Sequence, residues 1–321
     1  MTRLSGITPS GHVQLGNYLG AVQRWARETT EQDLYFVSDL HAMTSAHNAA
    51  RLRALTRETL AILLGAGIPD ELVFVQSDLL AEHSSLTWIL ECVCTYGEAR
   101  RMIQFKEKSK GEPGVRLSLL TYPVLMVADI LLYGADQVPV GEDQAQHVEL
   151  ARALARRFNS QYGEVFVVPE LQLPPTAARV RDLADPTRKM AKSTQESAGV
   201  VYVLDSPDLI RRKISRAVTD NLAKVAYDPE NQPGVANLLE ILAGCTGERP
   251  EDLTDRVSDY ASLKAMVADA VIEELRGIRK RALELIEDRG ELDRIRARGA
   301  ERARERAQPR LAAAQRMAGL G

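Results

Sequence analysis

Two short segments, far apart in the chain, carry residue types that can hold a polyphosphate. Thr8-Pro9-Ser10-Gly11 leads into Gln14-Leu15-Gly16-Asn17, and Lys189-Met190-Ala191-Lys192-Ser193 lies well beyond the middle. The first follows an apolar strand candidate, Leu4 to Ile7, and opens a helical pattern from about Tyr18 to Thr29. Glycines and small residues at a strand-to-helix turn let backbone N–H groups approach a phosphate, and a helix N-terminus favours its charge. The second puts Lys189 and Lys192 on a loop between Pro186 and Ser193-Thr194, within reach of the same polyphosphate. Each segment alone has a plainer account: a Gly-Asn pair also caps helices, and Lys-x-x-Lys-Ser is usually a solvated loop. Their joint presence reads as a nucleotide site assembled from two distant pieces.

A second constellation sits between them. The run from Tyr122 to Asp129 is apolar except for its final carboxylate. With a helical period Tyr122, Met126 and Asp129 share a face. A carboxylate among apolar neighbours is costly unless donors reach it. An indole, whose ring N–H only donates, matches that acceptor, and Met126 can pack on its flat face. Spacing alone favours an aspartate paired with an arginine or a helix terminus. Further on, Val140-Gly141-Glu142-Asp143-Gln144-Ala145-Gln146-His147 opens a helix after the short strand candidate Val138-Pro139-Val140. Asp143 and Gln144 could grip an ammonium or ribose hydroxyls; simple capping by Glu142 or Asp143 accounts for the same run. His41 is read as closing a strand, placed either to touch a ligand or to make a structural hydrogen bond.

Elements must position these groups. Strand candidates Leu34 to Val37, Leu72 to Val75 and Val165 to Val168 alternate with helical patterns over Ala50 to Leu64, Leu86 to Cys94, Leu117 to Tyr133 and Glu142 to Phe158. Such alternation argues for a parallel sheet covered by helices, with phosphate sites at the carboxyl ends of its strands. After Pro186 strand signals fade except at Val200 to Leu204, and helices are expected at Leu209 to Ala217, Asn237 to Leu242 and from Leu263 towards Glu287. A helix-start signal stands at Pro250, and an arginine- and alanine-rich tail with strong helix propensity runs from Glu291 to Met317.

The 321 residues allow one large or two moderate domains. A formal charge of −3 excludes a globally basic nucleic-acid binder and leaves RNA recognition to local patches. No apolar run reaches bilayer length, and a cytoplasmic protein is expected. Cys92, Cys94 and Cys245 are too few and wrongly spaced for a zinc or iron–sulfur site, so buried reduced thiols and no protein-held metal are expected.

Together these motifs resemble bacterial tryptophanyl-tRNA synthetases, members of the class I aminoacyl-tRNA synthetases. The two distant segments resemble that class's "HIGH" and "KMSKS" signatures. The likeness spans essentially the whole chain and includes Gly6 to Gly11, Gly16 to Ala21, Asp39 to Ala42, Tyr96 to Met102, Gln104 to Lys106, Met126 to Asp129 and Val138 to His147. The chain departs from the pattern at Gln14 and Asn17, where the signature has histidines, at Ala191, where it has serine, and at Thr8, where many relatives carry glutamine.

The resemblance implies an α/β fold: a Rossmann-like parallel sheet nucleotide-binding domain over residues 1–180 with a smaller helical anticodon-binding domain over 181–287, and a C-terminal helix, 288–321, packing back on the first. It implies ATP as substrate with Mg²⁺, L-tryptophan and tRNA(Trp) as partners, and a homodimer. Lys108 (on the loop after Phe105), Lys189, Lys192 and Ser193 would act on the phosphates. Thr8, Pro9, Ser10, Gln14, Gly16, Asn17, Gly141, Asp143 and Met190 would complete the ATP site. Asp129, Met126, Tyr122, Gln144, His41, Val138 and Val140 would hold tryptophan. Arg211, Arg212 and Lys213 are candidates for RNA contact, with a solvated helix face as the plainer account. A synthetase-like protein with a regulatory task, an adenylating enzyme without tRNA, and tyrosine as substrate stay open here.

Overall fold

The computed structural model describes residues 2–110, 114–141, 144–172, 180–190 and 198–320. Three parallel strands, β1 (Leu4–Ile7), β2 (Leu34–Val37) and β3 (Val73–Val75), pair in the order β1-β2-β3. In register, Leu4 faces Leu34 and Tyr35 faces Val73. A second parallel pair joins β4 (Gln137–Pro139) to β5 (Glu170–Gln172). The parallel bridge between Arg3 and Gln137 lays β4 beside β1, so the strands run β3-β2-β1-β4-β5 across the molecule. The chain order reverses between β1 and β4, and in open parallel sheets ligands bind beyond the carboxyl ends of the strands at such a point.

The helices are α1 (Leu15–Asn17), α2 (Gln23–Glu28), α3 (Asp39–Ala42), α4 (Ala49–Gly65), α5 (Leu80–Glu91), α6 (Tyr96–Arg101), α7 (Ile103–Ser109), α8 (Leu117–Leu132) and α9 (Ala145–Tyr162). Then follow α10 (Pro207–Ser215), α11 (Pro233–Thr246), α12 (Pro250–Leu253), α13 (Tyr260–Glu287) and α14 (Arg289–Met317). A π-helical turn, Tyr18–Val22, links α1 to α2. Local chemistry sets several of the boundaries. Ser206 caps α10 with Pro207 in its first turn, Asp259 and Ser262 form a capping box on α13, and Gly247 ends α11 at φ 78°.

Strands β2 and β3 are buried along their whole length on both faces, as parallel strands between helices must be. Tyr35 and Val37 join one core with Leu60, Leu63, Leu238 and Leu275, while Leu34 and Phe36 join another with Leu86, Val127, Leu154 and Ala307. Helix α13 contributes Leu263, Val267, Val271 and Leu275, a stripe at the helical period. Helix α14 packs against both β3 and α5. Arg296 forks onto Asp78 at 2.7 and 2.6 Å, and Arg304 Nε donates to Glu82 at 3.0 Å. Its backbone comes so close to β3 that a Cβ on Gly299 would stand 1.9 Å from the Val73 carbonyl.

Several sequence expectations are corrected. Val165 to Val168 forms no strand: the backbone N–H groups of Val165 and Phe166 donate to the Asn159 side chain at 3.1 and 2.9 Å, and that side chain takes the place of a neighbouring strand. Val200 to Leu204 also stays outside any named strand. It pairs with the segment before α1 through a single bridge, Gln14 with Tyr202, because that segment turns at once into helix. His41 does not close a strand but sits in α3. Helix α5 begins at Leu80 rather than Leu86, its polar first turns still burying Glu82 and His83. Lys108 belongs to α7, not to a loop; the helix formers of this stretch continue past a break at Met102.

Candidate active site

A cavity of about 760 Å³ opens where β1 and β4 part. Thr8, Pro9 and Ser10 leave β1 into its wall, Ser38 and His41 follow β2, and Val138 to Gly141 come from β4. Helix α8 turns Tyr122, Met126 and Asp129 inward, and the wall also takes Gln144 from the start of α9 and Asn17 from the end of α1. Thr8 Oγ1 and Ser38 Oγ lie 2.9 Å apart and tie the ends of β1 and β2 together. Among the described residues no group of three or more His, Cys, Asp or Glu is placed to hold a metal ion, and no helix is long and apolar enough to cross a membrane.

Asp129 is only 1% exposed at the inner end of this cavity. Among the described residues its partners are neither an arginine nor a helix terminus. Gln76 Nε2 donates to Oδ1 at 2.7 Å, and His41 Nε2 lies 2.7 Å from Oδ2. His83 Nδ1 closes to 2.8 Å of Oδ1, though too bent for a full hydrogen bond. Burial pushes the carboxyl up, but the charge and hydrogen bonds of His41 and His83 outweigh it and hold the group at about 2. Asp129 is therefore an ionised acceptor. Tyr122 packs edge-on against His41, donates to Gln104 Oε1 at 2.9 Å and lies 3.2 Å from His147 Nε2. Burial raises its phenol to about 12, which keeps the hydroxyl a donor.

The two distant sequence motifs are joined physically. Gln14 caps α1, its Oε1 accepting from Gly16 N and Asn17 N, and its Nε2 donates to the Met190 carbonyl at 2.8 Å. Backbone bonds from Leu15 N to Val201 O at 2.8 Å and from Val203 N to Val13 O at 3.0 Å extend the same seam.

Of the residues expected from sequence, the cavity brings together Thr8, Pro9, Ser10, Asn17, His41, Tyr122, Met126, Asp129, Val138, Val140, Gly141 and Gln144. Gln14, Gly16, Lys189 and Met190 do not line it: Gln14 and Met190 are buried in the seam, and Lys189 is exposed. Lys192, Ser193, Ala191 and Asp143 lie outside the described residues, as does the side chain of Lys108. Of the RNA-contact candidates, Lys213 is taken by Asp205 at 2.6 Å and Arg211 pairs with Asp269, while Arg212 is exposed. Sequence reasoning missed Gln76 and His83, and it named Gln104 among the family-like segments without giving it a place in the site. The signal available for His83 was its place three residues from Leu86 and seven from Leu90 on the buried face of a helix.

A family model described as class I tRNA synthetases (W and Y) matches residues 1–276. A tryptophan–tRNA ligase 1 of Streptomyces coelicolor is 53% identical over 329 aligned positions, covering 100% of this chain and 98% of the relative. Among solved structures, the Mycoplasma pneumoniae tryptophanyl-tRNA synthetase superposes with a TM-score of 0.86 at 34% identity, covering 100% of this chain and 98% of its own. The Campylobacter jejuni tryptophanyl-tRNA synthetase, solved with ADP and tryptophan, gives 0.85 at 31% identity with both chains covered in full, 100%.

Proposed function

The chain belongs to the class I tRNA synthetases of the W and Y family, and on that premise we infer that it is an aminoacyl-tRNA ligase specific for tryptophan. A tryptophan carboxylate oxygen attacks the α-phosphorus of ATP, the bond to pyrophosphate breaks, and tryptophanyl-adenylate remains. The terminal adenosine hydroxyl of tRNA(Trp) then attacks the carbonyl carbon and AMP leaves. Positioning and charge stabilisation carry both steps, with no covalent enzyme intermediate. The observation that carries this reading is the ionised, buried Asp129 at the end of a cavity walled by Met126, Val138 and Val140. A carboxylate offers about four acceptor positions, and the hydrogen bonds from Gln76 and His41 leave room for an indole N–H.

In the same proposal Tyr122 and Gln144 hold the ammonium, with His41 beside the ring. Thr8 to Ser10, Asn17 and Gly141 receive the adenosine, with Asp143 on the ribose. Lys189, Lys192 and Ser193, with Lys108, take the pyrophosphate as charge gathers, and Mg²⁺ enters with the ATP phosphates. Residues 1–180 form the catalytic domain, 181–287 read the anticodon through unstacked bases, and 288–321 return to the first domain. The enzyme acts in the cytoplasm as a homodimer, a reading supported by the exposed Trp88, Tyr96 and Leu117 on the neighbouring helices α5, α6 and α8. The test is tryptophan-dependent exchange of pyrophosphate into ATP, with tyrosine and phenylalanine as controls. Exchange with tryptophan alone is expected; none with any amino acid would sink the ligase reading in favour of a regulatory RNA- or protein-binding role.

A further inference from the structure

The geometry points to His83 and Tyr133 as positioning residues that fix which oxygen of Asp129 faces the substrate, and so set the preference for an indole N–H. The inference rests on the tryptophan reading above. Neither residue lines the cavity: His83 is 0% and Tyr133 2% exposed. They stand behind Asp129 in a closed loop. Asp129 and Tyr133 are four apart at the end of α8, on one face, and His83 of α5 fits between them. Tyr133 Oη lies 2.9 Å from His83 Nε2, and His83 Nδ1 lies 2.8 Å from Asp129 Oδ1.

Proton placement follows from these partners. Burial, with the charge of Asp129, raises the Tyr133 phenol well above its ordinary value, so the hydroxyl keeps its proton. The carboxylate only accepts, so the ring nitrogen that faces it, Nδ1, carries a proton, and the Tyr133 hydroxyl at Nε2 is placed to hold that arrangement. With Gln76 donating to the same Oδ1, that oxygen is occupied from behind by two buried groups. Gln76 is itself oriented, its Oε1 accepting from Leu40 N at 3.2 Å. Only Oδ2, which has His41 on the cavity side, is left to face the substrate. Without Tyr133 the imidazole is free to take the other tautomer. A bare Nδ1 lone pair would then oppose Oδ1, and the carboxylate would turn away from its productive setting.

The test compares tryptophan with benzothienylalanine, whose ring has sulfur in place of the N–H, in pyrophosphate exchange and in direct binding. The proteins are the wild type, Tyr133→Phe, His83→Leu and His83→Asn. The asparagine amide can replace the Nδ1 donor without the rest of the ring. The preference for tryptophan is expected to fall about tenfold in Tyr133→Phe and His83→Leu and to return in part in His83→Asn, the order of one buried hydrogen bond. A merely structural role would lower exchange with both substrates equally and leave their ratio unchanged. That result, in whichever variant folds, overturns the proposal, as does a wild type indifferent to the N–H. No exchange by the wild type with either substrate overturns the ligase reading and this inference with it.

Discussion

Gln14 Nε2 donates a 2.8 Å hydrogen bond to the carbonyl of Met190, across a sequence separation of 176 residues. One side chain thereby caps α1 and anchors the Lys189-Met190 end of the second, distant motif. Gln14 is 2% exposed, so its amide works within this seam rather than in open solvent. Gln14→Ala should leave the Gly16 and Asn17 N–H groups and the Met190 carbonyl short of partners. The KM for ATP should rise, or kcat fall, by about tenfold or more, with tryptophan affinity unchanged. Equilibrium dialysis with tryptophan beside ATP-dependent exchange rates checks the split. A parallel loss in both would assign Gln14 a general structural role.

The lysine of the second motif makes the complementary case. If Lys192 meets the pyrophosphate as charge builds, Lys192→Ala should depress adenylate formation by a hundredfold or so, the order of a lost electrostatic contact to developing charge. Tryptophan binding should hardly change. Single-turnover adenylate formation and ligand binding separate the two effects, and equal losses would remove the assignment.

Acid should unfold the protein through specific carboxylates. Hydrogen bonding to Arg157 and Thr95 holds Glu98 at about 2, and Asp129 is held at about 2 despite its burial. Both values are depressed in the fold. Their contribution is thus complete above the ordinary carboxylate range and lost as pH falls from that range towards about 2. Urea midpoints should be flat through mildly acidic pH and drop below it. Glu98→Gln, which abolishes one titration, should start lower and fall less steeply; a slope identical to wild type would refute the linkage.

The thiols should separate by burial. Burial raises Cys94 to about 11 and Cys245 to about 12, so neither offers appreciable thiolate near neutral pH. Cys92 is exposed. Brief iodoacetamide treatment of the folded protein should modify Cys92 first, by peptide mass analysis. Early labelling of Cys245 would mean that α11 opens far more readily than its packing implies.

What the sequence disclosed and what it withheld divide along contact range. Leu4–Ile7 and Leu34–Val37 appear as strands at their expected limits because an apolar run between turn residues is a local signal. The placement of β4 beside β1, which creates the cavity, depends on a pairing between Arg3 and Gln137 that no local pattern encodes. The surroundings of Asp129 follow the same rule. Its helical face with Tyr122 and Met126 was legible from spacing. Its donors were not: Gln76 and His41 arrive from 53 and 88 residues away. Asn159 likewise replaced a strand partner for Val165 and Phe166 by side-chain contacts invisible to β propensity.

Two helical glycines should respond oppositely to the same substitution. Gly277, within α13, has nothing within 4 Å of the place a Cβ would occupy, so Gly277→Ala gains helix propensity without a clash. It should stabilise the fold by about 0.5–1 kcal/mol. Gly299, within α14, would bring its Cβ to 1.9 Å from the Val73 carbonyl, and backbone there cannot yield cheaply. Lifting α14 would strain the ion pairs of Arg296 with Asp78 and Arg304 with Glu82 together. Gly299→Ala should therefore cost about 3 kcal/mol or more despite the same propensity gain, near the upper end for an overpacked core. Chemical denaturation of the two variants side by side decides it. Equal stabilisation of both would show that α14 does not lie as close to β3 as the packing here requires.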